Sequence, residues 1–207
     1  MDTVRFWNKM SAGYDAQAGG KYAKAYEDTI ALTRKYLKPT DAVLDFACGT
    51  GLVTMELADS AASILGIDIS PGMLEQAQMK RASRGIGNVT FRAGTLTDNS
   101  LAESSFDVVL AFNILHGLPD AAACCARIHR LLKSDGLFLS VTDCLKEAGF
   151  ATVVLVKTLC ALRLMPHVNI MSQQDVRALV EGAGFSIVET QNLFDVPPNL
   201  FIAARRA

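Results

Sequence analysis

Two glycines and an aspartate stand close together in the stretch DFACGTG, which follows a short apolar run. Gly49 and Gly51 flank a single threonine, and Asp45 precedes the first glycine. A glycine pair directly after a strand is typical of a turn that lets a nucleotide-like ligand approach the backbone. The carboxylate is the unusual element, because a negative charge beside such a turn repels phosphate.

The glycine turn allows three interpretations. The glycines could simply shape a tight turn from a strand to a helix, without any ligand. A dinucleotide site, as in an NAD-linked oxidoreductase, needs a third glycine where Thr54 stands. S-adenosylmethionine carries a sulfonium and an ammonium but no phosphate, and it suits Asp45 by charge attraction in a partly dry cleft. The carboxylate favours this third interpretation.

A second acidic residue supports a nucleoside ligand. Asp68 ends the next apolar run, SILGID, close to the offset of about 20 residues at which a carboxylate binds ribose hydroxyls. Its two oxygens can accept hydrogen bonds from both hydroxyls. An aspartate also suits a plain turn before a helix, so the prediction depends on the glycine turn and the acid together.

Apolar runs and helical patterns alternate along the chain. Ser70 with Pro71, and the capping box Ser172-x-x-Asp175, predict two helix starts. The alternation predicts an α/β fold: a Rossmann-like, seven-stranded, mostly parallel sheet with helices on both faces and a C-terminal antiparallel hairpin. Strands are predicted at 42–47, 63–68, 88–94, 106–113, 136–143, 185–191 and 199–206, and helices at 21–37, 52–60, 70–83, 120–132, 148–166 and 172–184.

Four stretches resemble motifs of the class I S-adenosylmethionine-dependent methyltransferases. VLDFACGTGLVT is similar to the first motif of that family, and GIDISPGMLEQA is similar to its ribose-binding motif. FDVVLAFNILHGLPD and LLKSDGLFLSV resemble the segments around strands four and five. The resemblance is closest to the small-molecule branch that includes the ubiquinone and menaquinone C-methyltransferases. It covers about residues 40–142 and implies the strand order 3-2-1-4-5-7-6.

The resemblance implies cofactor contacts position by position. Asp45 is expected near the methionine amino group of S-adenosylmethionine, and Asp68 at the ribose hydroxyls. Ile69 and Met73 are expected against the adenine, and Tyr14 is expected to donate a hydrogen bond to the methionine carboxylate. The expected cofactor-binding residues are Tyr14, Asp45, Ala47, Cys48, Gly49, Thr50, Gly51, Asp68, Ile69, Met73, Thr95, Leu96, Phe112 and Asn113.

Two positions depart from the family pattern. The family often has Gly-Asp-Ala after strand three, where this chain has Gly-Thr-Leu. Thr95 therefore replaces a carboxylate that reaches the adenine amino group, although its hydroxyl can still accept one hydrogen bond. The main-chain amide of Leu96 can still donate a hydrogen bond to the adenine ring. Before strand five, Lys-Ser-Asp-Gly replaces Lys-Pro-Gly-Gly, which is expected to affect only that turn.

Methyl transfer needs alignment of the acceptor and exclusion of water more than a dedicated nucleophile. His116 is the candidate base, because it follows strand four and its pKa suits proton removal near neutrality. A role in bracing its loop is the alternative that we favour. His167 is a second candidate for the same pocket, and Asp143 is a candidate acceptor contact or cap. His129 is expected on a solvated helix face.

We expect a single domain with four parts. The N-terminal part should fold over the cofactor, with Phe6, Trp7 and Met10 at helical spacing as its apolar underside; plain packing on the core is the alternative. The parts are a helical lid at 1–38, a cofactor-binding core at 39–143, a helical insertion forming the acceptor site at 144–171, and the last helix with the terminal hairpin at 172–207.

The most apolar stretch of the chain, AGFATVVLVKTLCALRLMP, lies in this insertion. Lys157 and Arg163 interrupt it and Pro166 ends it, so it lacks the roughly 20 uninterrupted apolar residues of a membrane span. We expect a helix that buries most of its surface. That surface would cover an acceptor pocket, complete the core, or form a homodimer through 149–166.

Composition argues against several other partners. The chain has 207 residues, with 20 Lys and Arg against 21 Asp and Glu, and so lacks the basic excess of a nucleic-acid-binding protein. The first ten residues lack the apolar core of a signal peptide. The five cysteines show no pairing or metal-ligand spacing, and no metal site is predicted. These features favour a cytoplasmic location.

These patterns together predict a methyltransferase that uses S-adenosylmethionine, forms S-adenosylhomocysteine, and methylates a small, apolar or aromatic acceptor by in-line transfer. The alternative is a regulatory or assembly protein that binds the cofactor without turnover. An NAD-linked oxidoreductase is a third class, and it predicts binding of a nicotinamide cofactor.

Overall fold

The computed structural model describes residues 2–207 and is built around a seven-stranded sheet in the order β3-β2-β1-β4-β5-β7-β6. Neighbouring strands from β3 to β5 are parallel, whereas β7 runs antiparallel between β5 and β6. The predicted fold class and strand order are therefore confirmed. The strands are β1 Ala42–Phe46, β2 Ser63–Asp68, β3 Val89–Ala93, β4 Phe106–Phe112, β5 Leu132–Asp143, β6 Phe185–Asn192 and β7 Asn199–Arg206.

The helices begin where the capping residues predict. Ser70 Oγ accepts a hydrogen bond from Met73 N at 3.2 Å, and Pro71 is the first residue of α5. Ser172 and Asp175 make both hydrogen bonds of a capping box at the start of α8. The helices are α1 Thr3–Met10, α2 Tyr14–Ala18, α3 Ala23–Arg34, α4 Leu52–Glu56, α5 Pro71–Arg84, α6 Ala121–Leu131, α7 Phe150–Ala161 and α8 Gln173–Gly182.

The core is divided by the sheet into two apolar clusters. Successive strand residues point to opposite faces, so Val43 joins the cluster beneath α3, α4 and α5, while Leu44 joins the cluster beneath α6 and α8. Strands covered on both faces have to be apolar at consecutive positions, which explains the apolar runs in the sequence. The carboxyl ends of β1, β2 and β4 meet at one edge of this sheet.

The N-terminal segment lies across that edge. Asn8 Oδ1 accepts hydrogen bonds from Ser70 Oγ at 2.7 Å and from Gly72 N at 3.0 Å. Asp15 accepts a hydrogen bond from the Thr50 hydroxyl and forms an ion pair with Lys80 at 2.6 Å. These contacts fix the segment to the glycine turn and to the start of α5.

The expected burial of the apolar insertion is wrong. None of the residues in α7, Phe150–Ala161, is buried, and Phe150 is 86% exposed. The principal neighbour of α7 is the short turn Leu145–Glu147 that precedes it. Hydrophobicity indicates that a helix tends to be covered, but it does not identify what covers it. Among residues 2–207, no helix has the length and apolar character needed to cross a membrane.

The expected solvated position of His129 holds only in part, because the side chain is half-buried. Its ring lies edge-on to Phe185, with 5.2 Å between the ring centroids. Burial lowers the pKa of His129, and the nearby positive charge of Arg206 lowers it further. Phe185 and Arg206 belong to β6 and β7, which are remote in sequence, so the helical pattern around His129 carries no signal of this packing.

We predict that Gly66→Ala destabilises the sheet beneath the glycine turn. A Cβ at this position in β2 would lie 2.5 Å from the Phe91 ring and 3.0 Å from Cys48 Sγ. Urea unfolding should show a free energy of unfolding lower by about 1–3 kcal/mol, because such overpacking forces the strands to shift. Gly87→Ala is the matched control, since a Cβ there meets nothing within 4 Å. Equal losses in the two variants would contradict the packing described here.

Candidate active site

The turn between β1 and α4 has an unusual backbone. Ala47, Gly49 and Gly51 have φ values of 57°, 55° and 70°. This left-handed conformation is unfavourable for a residue with a Cβ, so Ala47 is a strained position beside the glycines. A Cβ on Gly49 would meet nothing within 4 Å, whereas one on Gly51 would lie 2.8 Å from the Phe91 ring. Gly49 therefore leaves open space for a ligand, and Gly51 is required by packing.

Asp45 is a buried carboxylate at the end of β1. It is 3% exposed, and Oδ2 accepts a hydrogen bond from the Thr54 hydroxyl. Burial raises the pKa of Asp45 to about 7; the Thr54 hydrogen bond opposes this shift and the charge of Asp68 adds to it. Thr54, which occupies the third-glycine position of a dinucleotide motif, is thus the partner of the carboxylate. A cation beside Asp45 would stabilise its ionised form.

Asp68 closes the glycine turn through hydrogen bonds to the main chain. Its Oδ2 accepts a hydrogen bond from Gly49 N at 2.9 Å, and its Oδ1 accepts one from Ser70 N at 2.8 Å. Burial raises the pKa of Asp68, while these backbone hydrogen bonds oppose the shift. Each carboxylate oxygen can accept more than one hydrogen bond, so both remain able to bind ribose hydroxyls.

The residues expected at the adenine lie around the end of β2. Ile69 follows Asp68 and is 37% exposed, whereas Met73 is buried. The Thr95 hydroxyl lies 2.8 Å from that of Thr97. Asp98 does not replace the missing family carboxylate, because it is paired with Arg92. The position where adenine is expected is therefore lined by uncharged groups in place of that carboxylate.

A small cavity of about 40 Å³ lies between the ends of β1 and β4. It brings together eight of the predicted cofactor-binding residues and three others that the sequence analysis did not select. The predicted ones are Tyr14, Asp45, Ala47, Cys48, Gly49, Thr50, Phe112 and Asn113, and the others are Tyr26, Leu52 and Val53. Gly51, Asp68, Ile69, Met73, Thr95 and Leu96 are predicted residues that do not line it.

The Cys48 thiol in this cavity is not suited to nucleophilic chemistry. Burial raises its pKa well above the ordinary value, and the charges of Asp45 and Asp68 raise it further. The side chain therefore stays protonated, and it packs near Gly66 in the neighbouring strand. Its role at the site is that of a small apolar group.

A larger cavity of about 250 Å³ adjoins the first. Tyr14, Tyr26 and Asn113 line both cavities. Four aromatic rings form much of the larger cavity, together with a polar group of side chains that includes His116 and Asp143. Its lining residues are Trp7, Tyr14, Gln17, Ala18, Tyr22, Ala25, Tyr26, Thr29, Asn113, His116, Asp143 and Asn199. No residue of α7 is among them.

Two tyrosines form the boundary between the cavities. The hydroxyl oxygens of Tyr14 and Tyr26 lie 3.1 Å apart, and burial raises the pKa of both phenols. Both therefore remain protonated near neutral pH and can donate to an acceptor. Tyr26 lies in α3 and carried no sequence signal beyond its place in a helix.

His116 has an unused ring nitrogen at the larger cavity. Its Nδ1 is buried and has no hydrogen-bond partner among residues 2–207. Burial lowers the pKa of His116, and the negative charge of Asp143 opposes this shift. The main-chain oxygen of His116 accepts a hydrogen bond from Asn169 N at 2.6 Å, so its loop is also held in place. The imidazole is therefore neutral near neutral pH and able to accept a proton.

Asn199 connects the ends of three strands and was missed in the sequence analysis. Its Nδ2 donates to Asn113 Oδ1 at 3.0 Å and to Asp143 Oδ1 at 2.7 Å. Asn113 is itself in a left-handed conformation, with a φ of 55°. The first residue of β7 thus holds two cavity side chains from β5 and from the end of β4. Its distance from them in sequence explains why no spacing pattern indicates it.

The second histidine candidate lies elsewhere. His167 is exposed, and its Nε2 lies 2.8 Å from Asn169 Oδ1. It is not among the residues that line either cavity. Asp143, in contrast, lines the larger cavity, as expected for an acceptor contact.

Comparisons with known proteins point to one family. Residues 37–184 match the family described as methyltransferase domain. Demethylmenaquinone methyltransferase of Symbiobacterium thermophilum is 29% identical over 141 residues, which are 64% of this chain and 55% of that protein. Nocamycin O-methyltransferase of Saccharothrix syringae is 36% identical over 131 residues, 59% of this chain and 47% of that protein. The chain thus spans about half the length of these two relatives.

Solved structures share the fold. The S-adenosylmethionine-dependent methyltransferase of Mesorhizobium loti superposes with a TM-score of 0.70 at 20% identity, covering 88% of this chain and 98% of that one. The family match includes the glycine turn, both buried carboxylates and the His116 loop. The chain therefore belongs to the methyltransferase domain family, within the class I S-adenosylmethionine-dependent methyltransferases.

Proposed function

We propose that this chain transfers a methyl group from S-adenosylmethionine to a small acceptor bound in the larger cavity. The observation that carries this proposal is that the two cavities adjoin, since Tyr14, Tyr26 and Asn113 line both. A ligand in the larger cavity would face a cofactor held over the glycine turn. Proximity of this kind is the main requirement for in-line methyl transfer.

The side chains at the ends of β1 and β2 fit the cofactor. Asp45 is a buried carboxylate that a cationic group would stabilise, which suits the ammonium of the methionine moiety. Gly49 leaves open space above the turn, and Asp68 retains acceptor capacity for the ribose hydroxyls. When bound, S-adenosylmethionine supplies a methyl group that its sulfonium has made electrophilic.

The acceptor is proposed to be small, with an aromatic or apolar body and one polar group. The rings of Trp7, Tyr14, Tyr22 and Tyr26 offer flat apolar surface to such a body. The polar group of the acceptor would lie toward His116 and Asp143. A cavity that is mostly apolar with a few convergent polar groups is typical of small-molecule sites.

His116 is proposed to accept the proton that the acceptor loses. Its buried Nδ1 is unpaired, and the negative charge of Asp143 would stabilise the imidazolium that forms. Asn199 is proposed as a positioning residue, because its amide keeps the Asp143 carboxylate directed at the cavity edge. The hydrogen bond from Asn169 holds the loop through the main-chain oxygen of His116, so it does not by itself assign the alternative, a bracing role, to the imidazole.

The direct test is formation of S-adenosylhomocysteine. The chain would be incubated with S-adenosylmethionine and a cellular metabolite extract, and product would be measured by mass spectrometry against an extract-free control. Methyl transfer to a small molecule would support the proposal. Tight binding of S-adenosylmethionine without product across a broad range of extracts would overturn it in favour of a cofactor-binding regulator.

We predict that Asp68→Ala weakens S-adenosylmethionine binding about 10- to 100-fold, because buried ribose hydroxyls would lose their acceptor. Titration calorimetry on the folded variant measures this change. Asp59→Ala, at an exposed acid in another turn, is the matched control and should bind as the wild type does. Unchanged affinity in a folded Asp68→Ala variant would refute the assignment.

Asp45 should make the cofactor-free chain less stable as pH rises. Its pKa in the folded state is raised to about 7, so its contribution is fully present below the unfolded pKa and is lost as pH rises through about 7. Between about pH 5 and pH 7.5 we expect Asp45 to account for a loss of about 2.5 kcal/mol in the free energy of unfolding. Urea unfolding of Asp45→Asn should show a smaller decline, because the raised pKa of Asp68 still contributes. A decline of the same size in both proteins would argue against a buried, titrating Asp45.

His116→Ala should leave S-adenosylmethionine affinity within about twofold, because His116 lines the acceptor cavity rather than the glycine turn. Once an acceptor has been identified, kcat/KM of the wild type should fall at low pH because the imidazole becomes protonated. The His116→Ala variant should not show this pH dependence. A large loss of cofactor affinity in the folded variant would contradict the placement. If His116→Ala has the same rate and the same pH profile as the wild type, His116 only braces its loop.

A further inference from the structure

The helix α7 is apolar around nearly its whole circumference, and none of its residues is buried. Phe150, Leu155, Leu162 and Leu164, in the helix or the turn after it, are 86%, 57%, 63% and 59% exposed. A helix that is apolar all round is normally buried in a core or a membrane. Exposed apolar surface of this extent marks an interaction site.

Two polar side chains of this region are hydrogen-bonded within the segment. The Thr158 hydroxyl donates to the main-chain oxygen of Val154 at 2.9 Å, and the Cys160 thiol donates to that of Pro166 at 3.2 Å. These two groups therefore add little to the cost of removing the segment from water.

Those charges all have one sign. Between residues 148 and 174, Lys157 and Arg163 are the only charged residues apart from the titratable His167, and no Asp or Glu occurs. The rest of the chain carries a slight acidic excess, since the net charge of the whole is −1. The partner that covers α7 should therefore have an apolar region and a negative charge.

We propose that α7 docks on the surface of an anionic lipid bilayer. Its 12 residues extend about 18 Å, well short of the roughly 30 Å of hydrocarbon that a spanning helix crosses. A short apolar helix can instead enter the boundary between the headgroups and the acyl chains, where its long cationic side chains extend to the anionic headgroups.

A second copy of the chain fits this surface less well. Pairing of α7 with another α7 would bring Lys157 and Arg163 into an interface where the segment supplies no acidic partner. Uncompensated like charges oppose association when they are desolvated. The homodimer expected from the sequence is therefore the competing occupant that the experiment has to exclude.

Both ends of the insertion are attached to the larger cavity. Asp143, just before the insertion, lines the larger cavity. Near the other end, Asn169 N donates to the main-chain oxygen of His116 at 2.6 Å. Asn169 Nδ2 donates to the main-chain oxygen of Leu118, also at 2.6 Å. A docked α7 would thus hold the cavity close to the lipid surface. An acceptor that partitions into the bilayer could then enter the cavity directly from the lipid. Only this last step rests on the proposed methyltransferase activity; the docking itself does not.

The test is sedimentation of the full chain with vesicles. Sucrose-loaded vesicles of phosphatidylcholine containing phosphatidylglycerol should bind the protein, while vesicles of phosphatidylcholine alone should bind it more weakly. Phe150→Gln should lower partitioning into the anionic vesicles about tenfold, because its ring no longer enters the acyl region. Met79→Gln is the matched control, since this residue is an exposed apolar side chain on α5, and it should bind as the wild type does.

Charge is tested with a second pair of variants. Lys157→Gln should weaken binding to the anionic vesicles about fivefold and leave binding to neutral vesicles unchanged. Lys35→Gln, at an exposed lysine at the end of α3, should have no effect. Added salt should weaken binding of the wild type to the anionic vesicles.

Three results would overturn the proposal. They are absence of binding to the anionic vesicles, equal losses in Phe150→Gln and Met79→Gln, and a stable dimer in sedimentation velocity that Phe150→Gln converts to monomer. Calorimetric titration with S-adenosylmethionine separates this proposal from the proposed function. Vesicle binding with no methyl transfer would leave the docking surface intact, whereas methyl transfer without vesicle binding would remove it.

Discussion

A carboxylate buried at the carboxyl end of β1 is the constraint on which the site depends. Asp45 has one hydroxyl partner, from Thr54, and a second acid, Asp68, close enough to disfavour its ionisation. Placing such a group in the interior costs free energy unless a cation compensates it. The same charge opposes phosphate, so it separates this turn from the dinucleotide turns that share its glycines. The turn therefore suits a cationic nucleoside without phosphate.

The other carboxylate couples this selectivity to the shape of the site. Asp68 accepts hydrogen bonds from Gly49 N and Ser70 N, so the residue proposed to hold the ribose also fixes the glycine turn and the entry to α5. The N-terminal segment is tied to the same two elements through Asn8 and Asp15. The glycine turn, the start of α5 and the N-terminal segment thus form one hydrogen-bonded unit at the carboxyl edge of the sheet.

The sequence was informative wherever the relevant residues are close together along the chain. Asp45, the two glycines and the helix caps are local patterns, and the alternation of strands and helices predicted the sheet correctly. Asn199 was missed because its partners come from β4 and β5 and are brought to it only by the hairpin. The burial expected for α7 was wrong, since apolar character indicates a need for cover without specifying its source.

The most direct test of the role assigned to Asp45 is the number of protons released when S-adenosylmethionine binds. Calorimetric titrations at about pH 7, in buffers of different ionisation enthalpy, give this number for the wild type and for Asp45→Asn. With a pKa of about 7, Asp45 is half protonated before binding, and a neighbouring cation ionises it. We predict that the wild type releases about half a proton more than Asp45→Asn does. Equal proton release by the two proteins would contradict the claim that a buried carboxylate selects the cation.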